Sequence, residues 1–407
     1  MKHGRMTTTT PRFLSPPEKT MPEPLPDPDW LALRRKMAVT ERWAYFDHAA
    51  VAPLPTPARE AVTDWAADFA TCGDVNWTAW ARRLETLRRR AAERFGAEPK
   101  EIALIHSTTE GISLVAEGFP WQAGDNVVLF EGEFPSNLYP WMNLRSRGVE
   151  IRWVPTRHER FDLQDAARLC DARTKMVAVS WVGYATGWRN DLEALADIAH
   201  RSGALLFVDA IQGLGVLPLD VGQVPIDFFA ADGHKWMLGA EGAGLLYIRH
   251  EHLEQLRPLG IGWNSVKHAT DYARVELDLK TSASRYEGGT PNMVGFAALG
   301  ASFEMLCRYP IEAIAARIID LGQQACQRLK RLGATIASDR APDRRSGIIT
   351  FTLPDTDPVA LRQGCLERGV VLSCRAGRLR ISPHAYNNLD DIERLISALE
   401  SSLKQQR

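Results

Sequence analysis

The sequence predicts an α/β protein, with a large domain on a mostly parallel, doubly wound sheet and a smaller C-terminal α+β domain after it. Three observations predict this. Short apolar runs, NVVLF (126–130), VEIRWVP (149–155), MVAVSWV (176–182), ALLFVD (204–209) and DFFAA (227–231), alternate with helical patterns over 135–147, 162–169 and 191–202. Unbroken apolar strands between helices belong to a sheet covered on both faces. From about Pro310 the pattern changes to a long helix (311–332), strands near 347–353 and 369–374 with a helix between them, and a final helix from about 389. A chain of 407 residues is also long enough for one large core and a second, smaller one. The expected division is a proline-rich tail over 1–29, a large domain over 30–300, and a small domain over 301–407. The entry segment 30–56 is placed to pack with the small domain.

Composition narrows the function classes. A hydrophobic fraction of 45% and a charged fraction of 24% are those of a soluble globular protein. With 49 basic and 50 acidic side chains the net charge is −1, which lacks the footprint of a nucleic-acid or anionic-membrane binder. No apolar run approaches the roughly 18 residues needed to span a bilayer, and the N-terminus has no signal-like apolar core, so the cytoplasm is expected. The six cysteines (Cys72, Cys170, Cys307, Cys326, Cys365, Cys374) form no CxxC pair, so free thiols are expected and no metal site is readable.

Taken in order, residues 1–29 are rich in proline, threonine and charge and read as a mobile tail. WLALRRKM then reads as a short amphipathic helix, followed by the strand WAYFDHAAV (43–51). Pro57–Phe69 and Trp80–Phe95 carry apolar residues at three and four residue intervals, as amphipathic helices do. CGDVNWTAW between them reads as a loop whose Trp77 and Trp80 either line a pocket or subunit contact or anchor a helix start. IALIH is a strand running into Ser107-Thr108-Thr109-Glu110-Gly111 and a helix. Free N–H groups at a helix start, with hydroxyls beside them, make an anion site; Ser and Thr followed by Glu equally make a plain capping box.

The segment 204–236 organises the rest. The strand Ala204–Val208 ends in Asp209, and the run Ile226–Ala230 leads into Asp232, Gly233, His234 and Lys235. Ligands of open α/β sheets bind beyond the carboxyl ends of the strands, so both Asp209 and Lys235 sit where chemistry is done. Taken singly, a strand-end aspartate and a solvated lysine are the plainer reading; taken together, they match the needs of pyridoxal 5'-phosphate (PLP). That cofactor requires a lysine for its aldehyde, a carboxylate beside its ring nitrogen and donors for its phosphate. Lys235 is the candidate for the covalent link, Asp209 for the ring nitrogen, and Gln212 for the phenolic oxygen.

VDAIQ, DGHKW, STTEGISLVAEGF and RYEGGTPN resemble segments of the class V aminotransferase family, which includes cysteine desulfurases, selenocysteine lyases, kynureninases and isopenicillin N epimerase. The resemblance runs from about Tyr45 to Leu395. It implies the type I fold of PLP-dependent transferases, PLP as cofactor, and an amino acid as substrate. Site residues follow by resemblance: Thr108, Thr109 and His234 toward the phosphate, Phe134 stacked on the ring, and Arg380 on the substrate carboxylate. Thr290 in RYEGGTPN would reach the neighbouring subunit's cofactor, which implies a homodimer with shared active sites. An exposed turn is the alternative for that loop.

Departures from the family pattern matter for the reaction. His48 stands where asparagine is usual, and it either contacts substrate or is structural. Phe134 replaces the histidine of desulfurases and cannot titrate. Trp181 replaces an asparagine and either reshapes the pocket or is a core residue. Asp232 stands where many relatives have serine. Cys374 lies six positions before Arg380 rather than on a long loop, and Cys365 falls in a helix. The leading reading is therefore a lyase or epimerase that forms a Schiff base and removes the Cα proton. The second is a cysteine desulfurase, selenocysteine lyase or true aminotransferase, and the third a catalytically inactive PLP-binding partner protein. Side-chain specificity is expected from loops around Trp77, Trp181, Trp263 and Asn264.

Overall fold

The computed structural model describes residues 28–156 and 160–406, so the expected tail lies, apart from Pro28 and Asp29, outside the described residues. The chain enters through α1 (Trp30–Arg35) and β1 (Ala44–Tyr45), then two long helices, α2 (Thr56–Cys72) and α3 (Trp77–Phe95). Trp77 and Trp80 belong to α3 rather than to a loop. The Trp80 indole N–H donates to Asp68 of α2 at 2.5 Å, and the Asn76 amide donates to the same carboxylate at 2.7 Å, bracing the turn between the helices.

β2 (Ile102–Ile105), α4 (Thr108–Gly118), β3 (Asn126–Phe130), α5 (Tyr139–Asn143), β4 (Glu150–Val154), α6 (Leu163–Leu169), β5 (Thr174–Ser180), α7 (Leu192–Arg201), β6 (Leu205–Asp209), β7 (Phe228–Asp232) and β8 (Gly244–Ile248) follow. The helical pattern over 135–147 is broken into a short helix and flanking 3-10 turns, since Pro135 and Pro140 remove N–H donors. The strands form one seven-stranded sheet in the order β2-β8-β7-β6-β5-β3-β4. Neighbours from β7 to β4 pair parallel, while β8 runs antiparallel between β7 and β2. The mostly parallel α/β architecture is thus present, with β8 an addition that the glycine-rich stretch before it had concealed.

Each central strand carries a buried apolar run, and its period of two sends alternate residues to two separate layers. Val177, Val179, Leu206, Val208, Phe229 and Ala231 face one apolar cluster, with Leu195 and Ala199 of α7. Met176, Ala178, Phe207, Phe228 and Ala230 face the other, with Ile112 and Val115 of α4. Parallel strands buried on both faces cannot slip without moving this whole set.

α8 (Met293–Cys307) had no expected counterpart. Its sequence is apolar on nearly every side, which erases the periodic signal, and Asn292 caps it by accepting from the Gly295 N–H at 3.2 Å. The remaining elements are α9 (Ile311–Arg331), β9 (Thr335–Ile336), β10 (Ile349–Thr352), α10 (Pro358–Glu367), β11 (Val370–Val371), β12 (Ser373–Arg375), β13 (Arg378–Ile381) and α11 (Leu389–Gln406). They supply a four-stranded sheet, order β12-β13-β10-β9, with its own apolar cluster. β1 pairs parallel with β11, and Phe46 joins that cluster beside Leu379 and Leu395. β13 is an inner strand, so Arg380 is not the edge-strand residue that a solvated arginine would be.

Phe229 is fully buried between Phe95 and Tyr247. Phe229→Ala is expected to cost roughly 3–5 kcal/mol, read as a lower midpoint in chemical denaturation.

Candidate active site

Parallel strands point their carboxyl ends to one side of the sheet, and the loops leaving β2, β3, β5, β6 and β7 converge there. A cavity of about 400 Å³ opens at this edge, and its wall includes Thr108, Thr109, Phe134, Asp209, Gln212, His234, Lys235 and Arg380. Eight of the residues singled out in the sequence are therefore brought together.

Lys235 follows β7 on a tight turn. The Gly233 N–H donates to the Ala243 carbonyl at 2.8 Å and the Leu238 N–H to the Lys235 carbonyl at 3.1 Å; Leu238 takes a positive φ of 57°. The Ser302 hydroxyl donates to the Leu238 carbonyl at 2.7 Å and pins that turn. Desolvation draws the Lys235 ammonium down to about 8, while nearby Asp209 pulls the other way. Its Nζ lies 5.7 Å from the centre of the Phe134 ring, which itself stands edge-on to Tyr184.

Asp209 ends β6 and is 3% exposed. One carboxylate oxygen accepts from the Ile211 N–H at 3.1 Å, and burial pushes the group up to about 6 despite Lys235. A buried carboxyl so poorly matched by hydrogen bonds suits a ligand that brings an N–H⁺ of its own. Gln212 is held from both ends: its amide donates to the Ala49 carbonyl at 3.0 Å, and its oxygen accepts from the Trp236 indole N–H at 2.9 Å. One amide proton is left for the cavity.

Ser107 caps α4 by accepting from the Glu110 N–H at 3.1 Å. The first N–H groups of a helix have no intrahelical partner, so those of Thr108 and Thr109 are available to an anion. The Thr108 hydroxyl oxygen accepts from the Asp232 N–H at 2.9 Å, which leaves its proton free to donate. His234 stands across from this turn with Nδ1 3.1 Å from the Asp232 carboxylate.

Arg380 is 1% exposed and fully oriented. Its Nη1 donates to the Tyr184 carbonyl at 2.6 Å, Nε to the Ser373 hydroxyl at 3.1 Å, and Nη2 to the Asp47 carboxylate at 3.2 Å. Burial lowers its pKa, and Asp47 opposes this. A planar guanidinium locked on three sides presents its remaining N–H donors in one direction, as bidentate capture of a carboxylate requires.

Three sequence candidates lie elsewhere. His48 has no exposure: Nδ1 contacts the Ser382 carbonyl and Nε2 the Tyr386 hydroxyl, both at 2.8 Å, and burial holds its pKa well below the usual value. It braces the chain against the small sheet and does not line the cavity, so the substrate-contact option gives way to the structural one. Trp181 is a core residue packed so closely on Gly213 that a Cβ there would lie 2.4 Å from the ring. Thr290 lines a separate cavity of about 360 Å³ with His106, Glu110 and Tyr286.

Sequence reasoning missed Arg375, Ser180 and Glu133. Arg375 lines the cavity from β12; the signal was a second arginine five positions before Arg380 in a hairpin. Glu133 lies behind Ser180, whose N–H donates to it at 2.6 Å and whose hydroxyl also donates to it. Burial pushes Glu133 up to about 7. None of the six cysteines is in the cavity wall; Cys374 faces Leu379 across the β12–β13 hairpin and Cys365 is buried in α10.

The model of the family described as aminotransferase class-V matches residues 44–395. A probable cysteine desulfurase of Methanothermobacter thermautotrophicus is 30% identical over 398 residues, covering 90% of this chain and 96% of that one. Among solved structures, the apo cysteine desulfurase of Thermococcus onnurineus NA1 superimposes with a TM-score of 0.84 at 26% identity, over 92% of this chain and 98% of that one. A lysine variant of C-DES with glycine covalently linked to PLP shares the fold, with a TM-score of 0.84 at 24% identity, over 90% of this chain and 98% of that chain. PLP is the cofactor of this family, and the cavity offers Lys235, Asp209 and the α4 turn as residues that fit its aldehyde, ring nitrogen and phosphate.

Only a neutral amine attacks an aldehyde, and Lys235 becomes neutral above about 8 rather than above 10.5. The rate of PLP reattachment to the stripped protein, followed by absorbance, is expected to rise with pH and level off just above 8. A rise continuing to pH 10 would contradict this desolvation.

Proposed function

This chain belongs to the class V aminotransferase family of PLP-dependent enzymes, and on that premise we propose that it cleaves the Cβ–S bond of cysteine or a close sulfur-bearing analogue. The sulfur passes to a thiol that comes from outside the cavity wall, so that cysteine and a thiol yield alanine and a persulfide. The relatives' names side with the second of the readings drawn from the sequence rather than with the lyase or epimerase placed first.

The observation that carries the proposal is the combination of Lys235 and Arg380 in one cavity of about 400 Å³, toward the small end for ligand sites. Cofactor and substrate must share it, which favours a small amino acid over a bulky one. Epimerisation would call for a second proton carrier facing Cα, and Phe134 has no titratable group.

The roles of the chain's own residues follow. Arg380 holds the substrate carboxylate, and Asp47 with Tyr184 keeps the guanidinium from turning. When bound, PLP supplies the electron sink that makes the Cα proton removable. Lys235, whose ammonium is drawn down to about 8 by burial, takes that proton in its neutral form and can return it. Asp209 keeps a proton on the ring nitrogen by placing a buried negative charge beside it. Phe134 covers the ring without competing for protons. No thiol lines the wall, so the sulfur acceptor is a mobile thiol rather than Cys374.

Incubation with cysteine and excess dithiothreitol is expected to release alanine and sulfide in equal amounts, with Cys374→Ser unchanged. Pyruvate in place of alanine would move the assignment to β-elimination, and loss of sulfide in Cys374→Ser would overturn the external acceptor. Asp209→Asn is expected to lower kcat by roughly 10²–10³-fold.

A further inference from the structure

Asp232 is the acidic residue of the cavity wall whose backbone is tied to the start of α4, where its charge opposes a phosphate. It is 6% exposed, and its Oδ1 is buried without a hydrogen-bond partner. Its Oδ2 lies 3.1 Å from His234 Nδ1, an atom that itself lacks a properly aligned hydrogen bond. Its backbone N–H is tied to the Thr108 hydroxyl at the start of α4, an 11-residue helix. A carboxylate therefore stands beside the helix start that fits the PLP phosphate, and the inference rests on the proposed PLP-dependent function.

A phosphate bound beside a buried carboxylate disfavours the ionised form of both and so favours uptake of a proton. We propose that Asp232 makes phosphate capture proton-linked: one proton is taken up with the cofactor and shared among Asp232, His234 and the phosphate. PLP is then held firmly at neutral pH and loosely in alkali. The other titratable and charged groups lining the cavity are Asp209 from β6, Lys235 from the turn after β7, and Arg375 and Arg380 from the small sheet. α4 contributes the hydroxyls of Thr108 and Thr109, and Gly244 of β8, opposite Asp232, brings no charge. Lys235 also titrates on attachment, so the test must separate the phosphate from the aldehyde.

Pyridoxal, which lacks the phosphate, provides that separation. Affinities of the stripped protein for PLP and for pyridoxal are measured by titration from pH 6.5 to 9.5, for wild type, Asp232→Asn and Asp232→Ser. In wild type the preference for PLP over pyridoxal is expected to fall with pH, by up to about tenfold per unit. In both variants the preference is expected to be larger and to lose most of that slope. The same slope in wild type and in both variants would overturn the proposal. Two variants that bind neither compound while retaining native melting would also overturn it, since the carboxylate would then be needed for binding. PLP no better than pyridoxal in any protein would instead remove the phosphate site at α4, and failure of both to react with Lys235 in wild type would remove the cofactor reading.

Discussion

The opposition of Asp209 and Lys235 across a desolvated cavity is the constraint on which the rest depends. Each is pushed toward neutrality by burial, Asp209 up to about 6 and Lys235 down to about 8, and each partly restrains the other. Strands β6 and β7 pair parallel, with Asp209 at the end of β6 opposite Ala230 and Lys235 on the turn that follows β7, so both leave the same edge of the sheet. Only a sheet packed on both faces holds those ends still, because a register shift by one residue would turn the apolar strands inside out. The core thus positions the chemistry through backbone pairing, and neither residue needs a direct partner to be placed.

The second sheet contributes the other half of the site by a different route. Arg380 reaches the cavity from β13, and its orientation comes from both bodies of structure: Ser373 from β12, Asp47 from the entry segment and the Tyr184 carbonyl from the loop after β5. The Ser373 hydroxyl also donates to Asp47 at 2.7 Å, closing a small buried network. Removing one member of such a network leaves buried charge unmatched, a cost of a few kcal/mol that exceeds the worth of any one bond in it. The short β1–β11 pairing and the His48 contacts to Ser382 and Tyr386 belong to the same clamp, which is why a histidine near the cavity proves to be structural.

Most of the sheet was legible because its strands are apolar runs of five or so residues between amphipathic helices, a signal that burial itself writes into sequence. What escaped notice lacked that signal. β8 begins in a glycine-rich stretch, and α8 is apolar all round, so neither shows a period. At the site, Asp209, Lys235 and the Thr108–Thr109 turn were legible because strand ends and helix starts have marked sequence patterns. Arg375, Ser180 and Glu133 were not, because their roles come from cross-strand register and burial. Trp181 looked like a pocket residue from its place after β5, yet the first residue beyond a strand turns inward as readily as outward, and here Gly213 leaves room for its ring.

The placement of Glu133 extends the electrostatic argument beyond the pair at its centre. Ser180 sits between Glu133 and Asp209: it donates to the first through N–H and hydroxyl, and it is the register partner of the second. Burial is the main cause of the elevation of Glu133 to about 7, and the nearby Asp209 carboxyl adds to it. A cationic ring nitrogen arriving at Asp209 favours its ionised form, and the added negative charge then favours the neutral form of Glu133. The carboxyl behind the strand thereby moves opposite to the one in front of it, so the combined negative charge of the two carboxyls changes less than the ionisation of Asp209 alone would give. That moderation is simple because Phe134, unlike a histidine, adds no titratable group to the cavity wall beside Lys235 and Asp209, with Glu133 behind Ser180.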